Sequence, residues 1–542
     1  MDFNLAQVHE AIAEAIPEKD CIIVPGRRLS WADVTERTRR LANYLLSRGL
    51  GSVRPRAELR GFESGQDHLA LYLYNGVEYL EGMLGAYKSR VVPFNVNYRY
   101  VEKELLYLFK DAKARGIIYH AAFAPMLEKI LPELPELEVL IQVPDDSGHP
   151  LLPGAVEYER ALASASPSRP EVELSPDDLY MLYTGGTTGM PKGVLWRQAD
   201  IFVAALNGRH PDGSEHETLE SIVERGLAGN QRVLAAAPFM HGAAHWCVFI
   251  NFHMGNCVVV QRETNRLDPD DLLSTVEREK VAGLLIVGDA FGRPILDQLR
   301  KKKYDLSSFS VLVTGGAALN ASLKQEFIEL IPHVVIIDGV GSSETGAQGQ
   351  NVSTAASGAS TGTFRPAPAC CILSKDLTRV LEPGHEEMGW FAQRGRVPLG
   401  YLEDPEKTRL TFPAIDGIRY AVPGDRARLR EDGIVELYGR DSVTINSGGE
   451  KIFAEEVEHA LKQHVAVYDA VVVGRPSERW GQEVVALVRL RGGRQASESE
   501  LIDECVHHLA RYKLPKAILF RDEIVRSPSG KADYRWAKAQ VT

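Results

Sequence analysis

The sequence predicts a two-part α/β protein, with a large multi-layer N-terminal domain built on parallel sheets and a small α+β domain behind it. Three observations predict this. The chain has 542 residues, more than one hydrophobic core ordinarily serves. Short apolar runs alternate with amphipathic stretches as far as Ile337, the pattern of strand-helix units in a parallel sheet. The character of the chain then changes at Gly439-Arg440-Asp441-Ser442. We therefore expect domains at 1–439 and 440–542.

Taken in order, Asn4 to Ile16 reads as a short amphipathic helix, and Ser30 to Leu50 as a longer one opened by Ser30 with Asp33 in its first turn. The stretch 53–68, rich in Arg, Glu and Gly, reads as a solvated loop without an assigned role. Leu69 to Leu73, Val91 to Phe94 and Gly116 to Tyr119 are expected strands, separated by helices at Glu78 to Ser89 and Glu102 to Ala112. Pro and Ser punctuate 145–178, which is expected to be a surface connection. Beyond it, alternation resumes with strands at Val281 to Val287, Ser310 to Thr314 and Val334 to Ile337, and helices at Ala290 to Lys301 and Ala321 to Leu330. The run 346–364 is poor in large apolar residues and is expected to be a mobile or polar loop. After residue 440 the expected order is helix 455–464, strands 470–473 and 483–489, helix 498–511, strand 517–520, and a polar loop ending at Lys531.

Composition narrows the function. Acidic residues outnumber basic ones by 73 to 62, and the net charge of −11 argues against nucleic-acid binding. The six cysteines show no Cys-x-x-Cys pair, which fits reduced thiols in a cytoplasmic protein. No secretory signal is visible at the N-terminus, and the most apolar segment, 245–260, is too short and too interrupted to span a bilayer. Peripheral membrane contact and homo-oligomerisation stay open.

The stretch that carries chemistry is Tyr183-Thr-Gly-Gly-Thr-Thr-Gly-Met-Pro-Lys-Gly-Val194. Thr184, Thr187 and Thr188 offer hydroxyls, Gly185, Gly186 and Gly189 allow close backbone approach, and Lys192 adds a point charge. Such a loop can cradle phosphate. It differs from the common P-loop, because Pro191 precedes the lysine and a strand, Val194-Leu195-Trp196, follows it. Two more glycine-bearing stretches, Thr314-Gly315-Gly316-Ala317 and Asp338-Gly339-Val340-Gly341-Ser342-Ser343-Glu344, stand at expected carboxyl ends of strands, where ligands of open α/β sheets bind. His241 and His245 form a His-x-x-x-His pair, but Gly242 stands where a zinc-protease helix needs Glu, so zinc is not expected.

These stretches, with Pro423-Gly424-Asp425, the run Gly439 to Lys451 and Pro528-Ser-Gly-Lys531, resemble the adenylate-forming superfamily of acyl-CoA synthetases, firefly luciferase and peptide-synthetase adenylation domains. Within it, the chain looks most like actinobacterial synthetases acting on fatty acids and sterol side-chain acids. The resemblance implies an acid–thiol ligase using ATP, magnesium and coenzyme A, with the C-terminal domain as a mobile lid. It further implies that Lys531 bridges the carboxylate and α-phosphate, that Glu344 binds magnesium with Ser343 beside the phosphates, and that Asp425 and Arg440 hold the ribose. Gly315, Gly316 and Ala317 would lie flat against adenine, Asp338 and Gly339 would belong to the nucleotide site, and Val340 stands where many members place an aromatic that stacks on adenine. His241 would gate acyl entry, and its position argues for an acid without an α-amino group. Gly448 and Gly449 would meet the pantetheine arm of coenzyme A after lid rotation, with Ser442 at the hinge. Acyl-pocket walls at 242–246, 288–291, 317–318 and 339–341, most of them small, would leave room for a bulky acyl group. Two alternatives are a ligase that passes the acyl group to a carrier protein and a nucleotide-binding regulator without turnover.

Overall fold

A computed structural model describes residues 2–184, 190–447, 450–527 and 530–541. Six parallel strands form the centre of a 15-stranded sheet: Asp20–Val24, Cys257–Val259, Arg232–Ala235, Gly283–Ile286, Val311–Gly315 and Val335–Ser342, in spatial order. A second, five-stranded parallel sheet carries His68–Tyr72, Val92–Asn95, Ala114–His120, Val139–Val143 and Val156–Glu157. Between them a small antiparallel sheet pairs Leu179–Thr184 with Lys192–Arg197 and Gly400–Tyr401.

Leu5–Ala15, Trp31–Ser47 and Ala321–Leu330 form close to where the periodicity places helices, whereas the helix expected at 498–511 ends at Val506. Leu5–Ala15 and Trp31–Ser47 both begin with capping boxes, from Asn4 with Gln7 and from Ser30 with Asp33, which satisfy otherwise orphaned N–H groups. Their apolar faces, with Leu5, Val8, Ile12, Val34 and Leu41, enter one core shared with the central strands. A separate core, including Ile452, Val457, Leu461, Val472, Ala486 and Leu501, underlies a five-stranded C-terminal sheet of Thr444–Ser447, Glu450–Phe453, Val467–Ser477, Gly481–Leu490 and Ala517–Phe520.

Two expectations are overturned. The run 346–364 is no loop throughout: Gly346–Ser353 and Thr363–Pro366 are antiparallel strands that extend the large sheet. In the strands a small residue can reflect close backbone approach rather than solvation, since a Cβ at Gly349 would lie 2.7 Å from the Arg365 carbonyl oxygen. The connection 145–178 contains a strand and a helix, Tyr158–Ala163, whose buried Tyr158 donates a hydrogen bond to Glu81. Proline and serine flanking this turn of helix masked its apolar face.

Candidate active site

Strand Leu179–Thr184 and strand Lys192–Arg197 bring Thr184 and Lys192 into register as a directly opposed pair. Gly185, Gly186, Thr187, Thr188 and Gly189 lie outside the described residues. Lys192 approaches Asp404 at 3.2 Å, and although burial alone would lower its pKa, hydrogen bonding to Asp404 and the nearby Tyr107 raise it. Lys192 therefore remains a cation at the cradle. Two buried asparagines fix the surrounding backbone: Asn95 bonds the Tyr183 N–H and the carbonyls of Tyr183 and Met240, and Asn75 bonds the Phe239 N–H and the Ala237 carbonyl.

That clamp delivers His241 to the start of helix Gly242–His253. His241 is held neutral, its pKa lowered to about 3 by burial, with the positive charges of Lys531 and Arg99 acting in the same direction. Its Nε2 is buried and has no partner among the described residues. His245 is otherwise engaged, its Nδ1 bonded to the Phe239 carbonyl and its Nε2 to the Tyr180 hydroxyl, which also accepts from the Trp246 indole. With both ring nitrogens occupied, His245 has no lone pair to offer a metal.

Glycine makes the neighbouring surface flat. Gly315 and Gly339 are opposed on adjacent strands, and a Cβ on Gly315 would stand 3.3 Å from the Gly339 carbonyl oxygen. Gly316 adopts a φ of +82°, a conformation suited to glycine. Ala317 follows it, and a Cβ on Gly288 would stand 3.0 Å from the Ala317 side chain. Asp338 does not join this surface: it forms a buried ion pair with Lys324 at 2.8 Å. Val340 packs against Ile372, Leu381, Phe391, Ala427 and Val435.

The turn after Val335–Ser342 carries Ser343, whose carbonyl accepts from the Trp196 indole, and Glu344. The Tyr401 hydroxyl donates to Glu344 Oε1 at 2.8 Å. Lys407 lies over the Tyr401 ring at 4.2 Å, with its pKa lowered by burial and by the Lys192 charge while Glu344 opposes. On the opposite wall, Asp425 and Arg440 face each other across an antiparallel ladder, with Arg440 Nε 3.3 Å from Asp425 Oδ1. Asp425 chiefly raises the Arg440 pKa, against burial.

Lys531 completes the cluster from the C-terminal unit. Lys531 is an exposed residue overall, yet its pKa is lowered by desolvation and by Arg440, while Glu344, Asp425 and Glu455 oppose that shift. Glu455 is pushed up to about 7 by desolvation, Glu458 and Asp425. Four cations, Lys192, Lys407, Arg440 and Lys531, thus surround carboxylates at one crevice, an arrangement able to gather a polyanion. Sequence reasoning missed Tyr401, Asp404, Lys407, Asn75 and Asn95. Asp404-Pro405 is legible as a helix start, but nothing local reveals that Tyr401 meets Glu344. Gly448 and Gly449 lie outside the described residues.

The sequence pattern of the AMP-binding enzyme family matches residues 9–396, and that of the AMP-binding enzyme C-terminal domain matches 456–531. The chain belongs to this family. It is 55% identical over 541 residues to the medium-chain acyl-CoA ligase Mig of Mycobacterium avium, covering 99% of this chain and 98% of that protein. It is 39% identical to a 3-oxocholest-4-en-26-oate–CoA ligase of Rhodococcus rhodochrous, covering 100% of this chain and 96% of that one. Its fold matches the anthranilate CoA ligase AuaEII, solved with anthranoyl-AMP, at a TM-score of 0.83 and 22% identity over 100% of this chain and 97% of that chain. In this AMP-binding enzyme, no described helix is long and apolar enough to cross a membrane.

Proposed function

We propose that the chain activates a medium-length fatty acid or a bulkier, sterol-derived side-chain acid as its coenzyme A thioester. It is an AMP-forming acid–thiol ligase that uses ATP, magnesium and coenzyme A. The carboxylate oxygen attacks the α-phosphorus and pyrophosphate leaves. The thiol then attacks the acyl carbon, and AMP leaves with the bonding electrons. The single observation carrying the residue assignment is the convergence of Lys531 on Glu344, Asp425 and Arg440.

In this reading Lys531 binds the carboxylate and α-phosphate together, offsetting charge that accumulates as the two anions meet. Thr184, Lys192 and the glycine-threonine run 185–189 hold the terminal phosphates, and Ser343 lies beside them. Asp425 and Arg440 hold the ribose, while Gly315, Gly316, Ala317, Gly339 and Val340 border the base. Glu344 fits magnesium: it is a hard oxygen donor whose orientation the Tyr401 hydroxyl fixes. Magnesium, when bound, neutralises phosphate charge. His241, neutral and half-buried, borders the acyl entrance. Residues 1–439 then act as the ATP- and acyl-binding domain and 440–542 as a mobile lid, which brings Gly448 and Gly449 to coenzyme A after adenylation. Support for two units comes from their separate cores and sheets. A cytoplasmic site of action is part of the proposal, supported by six free cysteines.

Product analysis by mass spectrometry tests the reading, using magnesium-ATP, coenzyme A and a panel of short, medium, long and sterol-derived acids. Thioester with equimolar AMP, best with medium or sterol-derived acids, is expected. Acyl-adenylate that accumulates regardless of coenzyme A would point to a carrier protein as acceptor, and an absence of turnover with every acid would favour a regulator.

A further inference from the structure

The lysine loop is attached to the large domain through a line of charges that none of the proposed contacts to ATP or magnesium uses. Asp289 opens helix Gly288–Lys301, and its carboxylate accepts from both the backbone N–H and the side-chain amide of buried Asn320, at the end of the loop that begins at Gly315. Across the domain junction Lys462 Nζ lies 3.4 Å from Asp289 and 3.4 Å from Asp469. Asp289 and Lys462 are 6% and 9% exposed, so solvent screens this contact little. Asp469 in turn receives two hydrogen bonds from Arg526, at 2.7 and 2.6 Å. Arg526 then donates to the Gly530 carbonyl at 3.0 Å, immediately before Lys531.

A second contact converges on the same helix. Gly530 adopts a φ of +73°, and a Cβ there would lie 3.2 Å from the Val287 carbonyl and 3.3 Å from the Ala290 side chain, the residues flanking Gly288 and Asp289. The backbone beside Lys531 thus rests on the point where Lys462 is paired. The loop is also closed on itself, with Ser527 N–H donating to the Lys531 carbonyl and Gly530 N–H to the Ser527 carbonyl.

We infer that Asp289, Lys462, Asp469 and Arg526 form a cross-domain relay that positions Lys531 for adenylation and comes apart when the small domain leaves that position. The inference rests on the reading of Lys531 as the adenylating lysine. Asp289 and Asn320 belong to the large domain, whereas Lys462, Asp469 and Arg526 travel with Lys531. Within the line of charges only the Asp289–Lys462 link must break on rotation, together with the Gly530 contact on Val287 and Ala290. These four are positioning residues, because they act on substrate through the Lys531 loop. Pairing a buried charge across a junction couples strongly to domain position, since removing one partner leaves the other desolvated with less opposing charge.

Lys462→Met and Asp289→Asn test the relay in the full-length enzyme, with Lys462→Arg as the conservative control and Lys531→Ala alongside. Acid-dependent pyrophosphate exchange reports adenylation, and release of AMP from a supplied acyl-adenylate by coenzyme A reports the second half-reaction. We expect Lys462→Met and Asp289→Asn each to slow exchange about tenfold, mainly in kcat, and to leave thioester formation within about twofold. The double variant should be no slower than the worse single one, and Lys462→Arg should recover most of the rate. Equal losses in both half-reactions, additive losses in the double variant, or unchanged exchange would each overturn the relay. Exchange retained by Lys531→Ala would instead overturn the underlying assignment of Lys531, whereas its loss in Lys531→Ala alone would remove only the relay.

Discussion

The two halves of the crevice are built in different ways. In the large domain the polar groups stand on strands or their ends, backed by buried residues: Asn75 and Asn95 clamp the 237–240 backbone, and Thr184, Lys192, Gly315, Gly339 and Asp425 all sit in sheet ladders. The C-terminal unit supplies Lys531 from a short closed loop, held by Arg526 and by contact with Val287 and Ala290. A core holds the first half and an interface holds the second. Rigid ladders suit binding of nucleotide in both half-reactions, whereas a loop held at a junction suits a lysine needed in one.

Substitutions at the junction should therefore separate the half-reactions, and substitutions in the ladder half should not. Short of removing Lys531 itself, the largest effect is expected from Gly530→Ala. A side chain there is strained at positive φ and presses on the Val287 carbonyl. Pyrophosphate exchange should fall roughly thirtyfold, equivalent to about 2 kcal/mol, with thioester formation from acyl-adenylate nearly unchanged. A normal exchange rate would show that the loop is not seated by this contact. Tyr401→Phe removes a hydrogen bond to a charged group, worth about 1.5 kcal/mol, so steady-state turnover at low magnesium-ATP should drop about tenfold. Full recovery at high magnesium concentration would fit a role through Glu344, and unaltered magnesium dependence would contradict it.

His241→Ala should move the ranking of acids by a few fold while the KM for ATP stays within about twofold. A defect confined to ATP would place His241 on the nucleotide side instead. The smallest effect concerns acid stability. Burial raises Asp469, but Lys462 and Arg526 outweigh it and hold its pKa at about 2, below the ordinary 3.8. A carboxylate depressed on folding stabilises the native state above its unfolded pKa, and that stabilisation is lost as pH falls from about 4 toward 2. Unfolding midpoints measured over that window should fall less steeply in Asp469→Asn than in the unaltered protein. Parallel slopes would mean that Asp469 is not the titrating group.

Much of this was legible in the residues because it is local. Capping at Asn4 and Ser30, the parallel alternation to Ile337 and the helix Ala321–Leu330 follow from periodicity and end residues. The strands at 346–353 and 363–366 were missed because their small residues answer to close backbone approach across the sheet, which composition presents as loop. At the site, Glu344, Asp425, Arg440 and Lys531 were singled out through short stretches, and the structure brings them to one crevice. Asp338 was singled out in the same way, yet Lys324 claims its carboxylate. Tyr401 and the Asp289–Lys462 pair could not be read locally. Their partners are 57 and 173 residues away in the chain, so only tertiary packing creates the contact.

The most direct test compares Lys531→Ala with the unaltered enzyme in acid-dependent pyrophosphate exchange and in thioester formation from supplied acyl-adenylate. The account predicts that exchange is abolished while coenzyme A still releases AMP at a nearly normal rate. Equal loss of both activities, or exchange that persists, would contradict a lysine that serves only the first half-reaction.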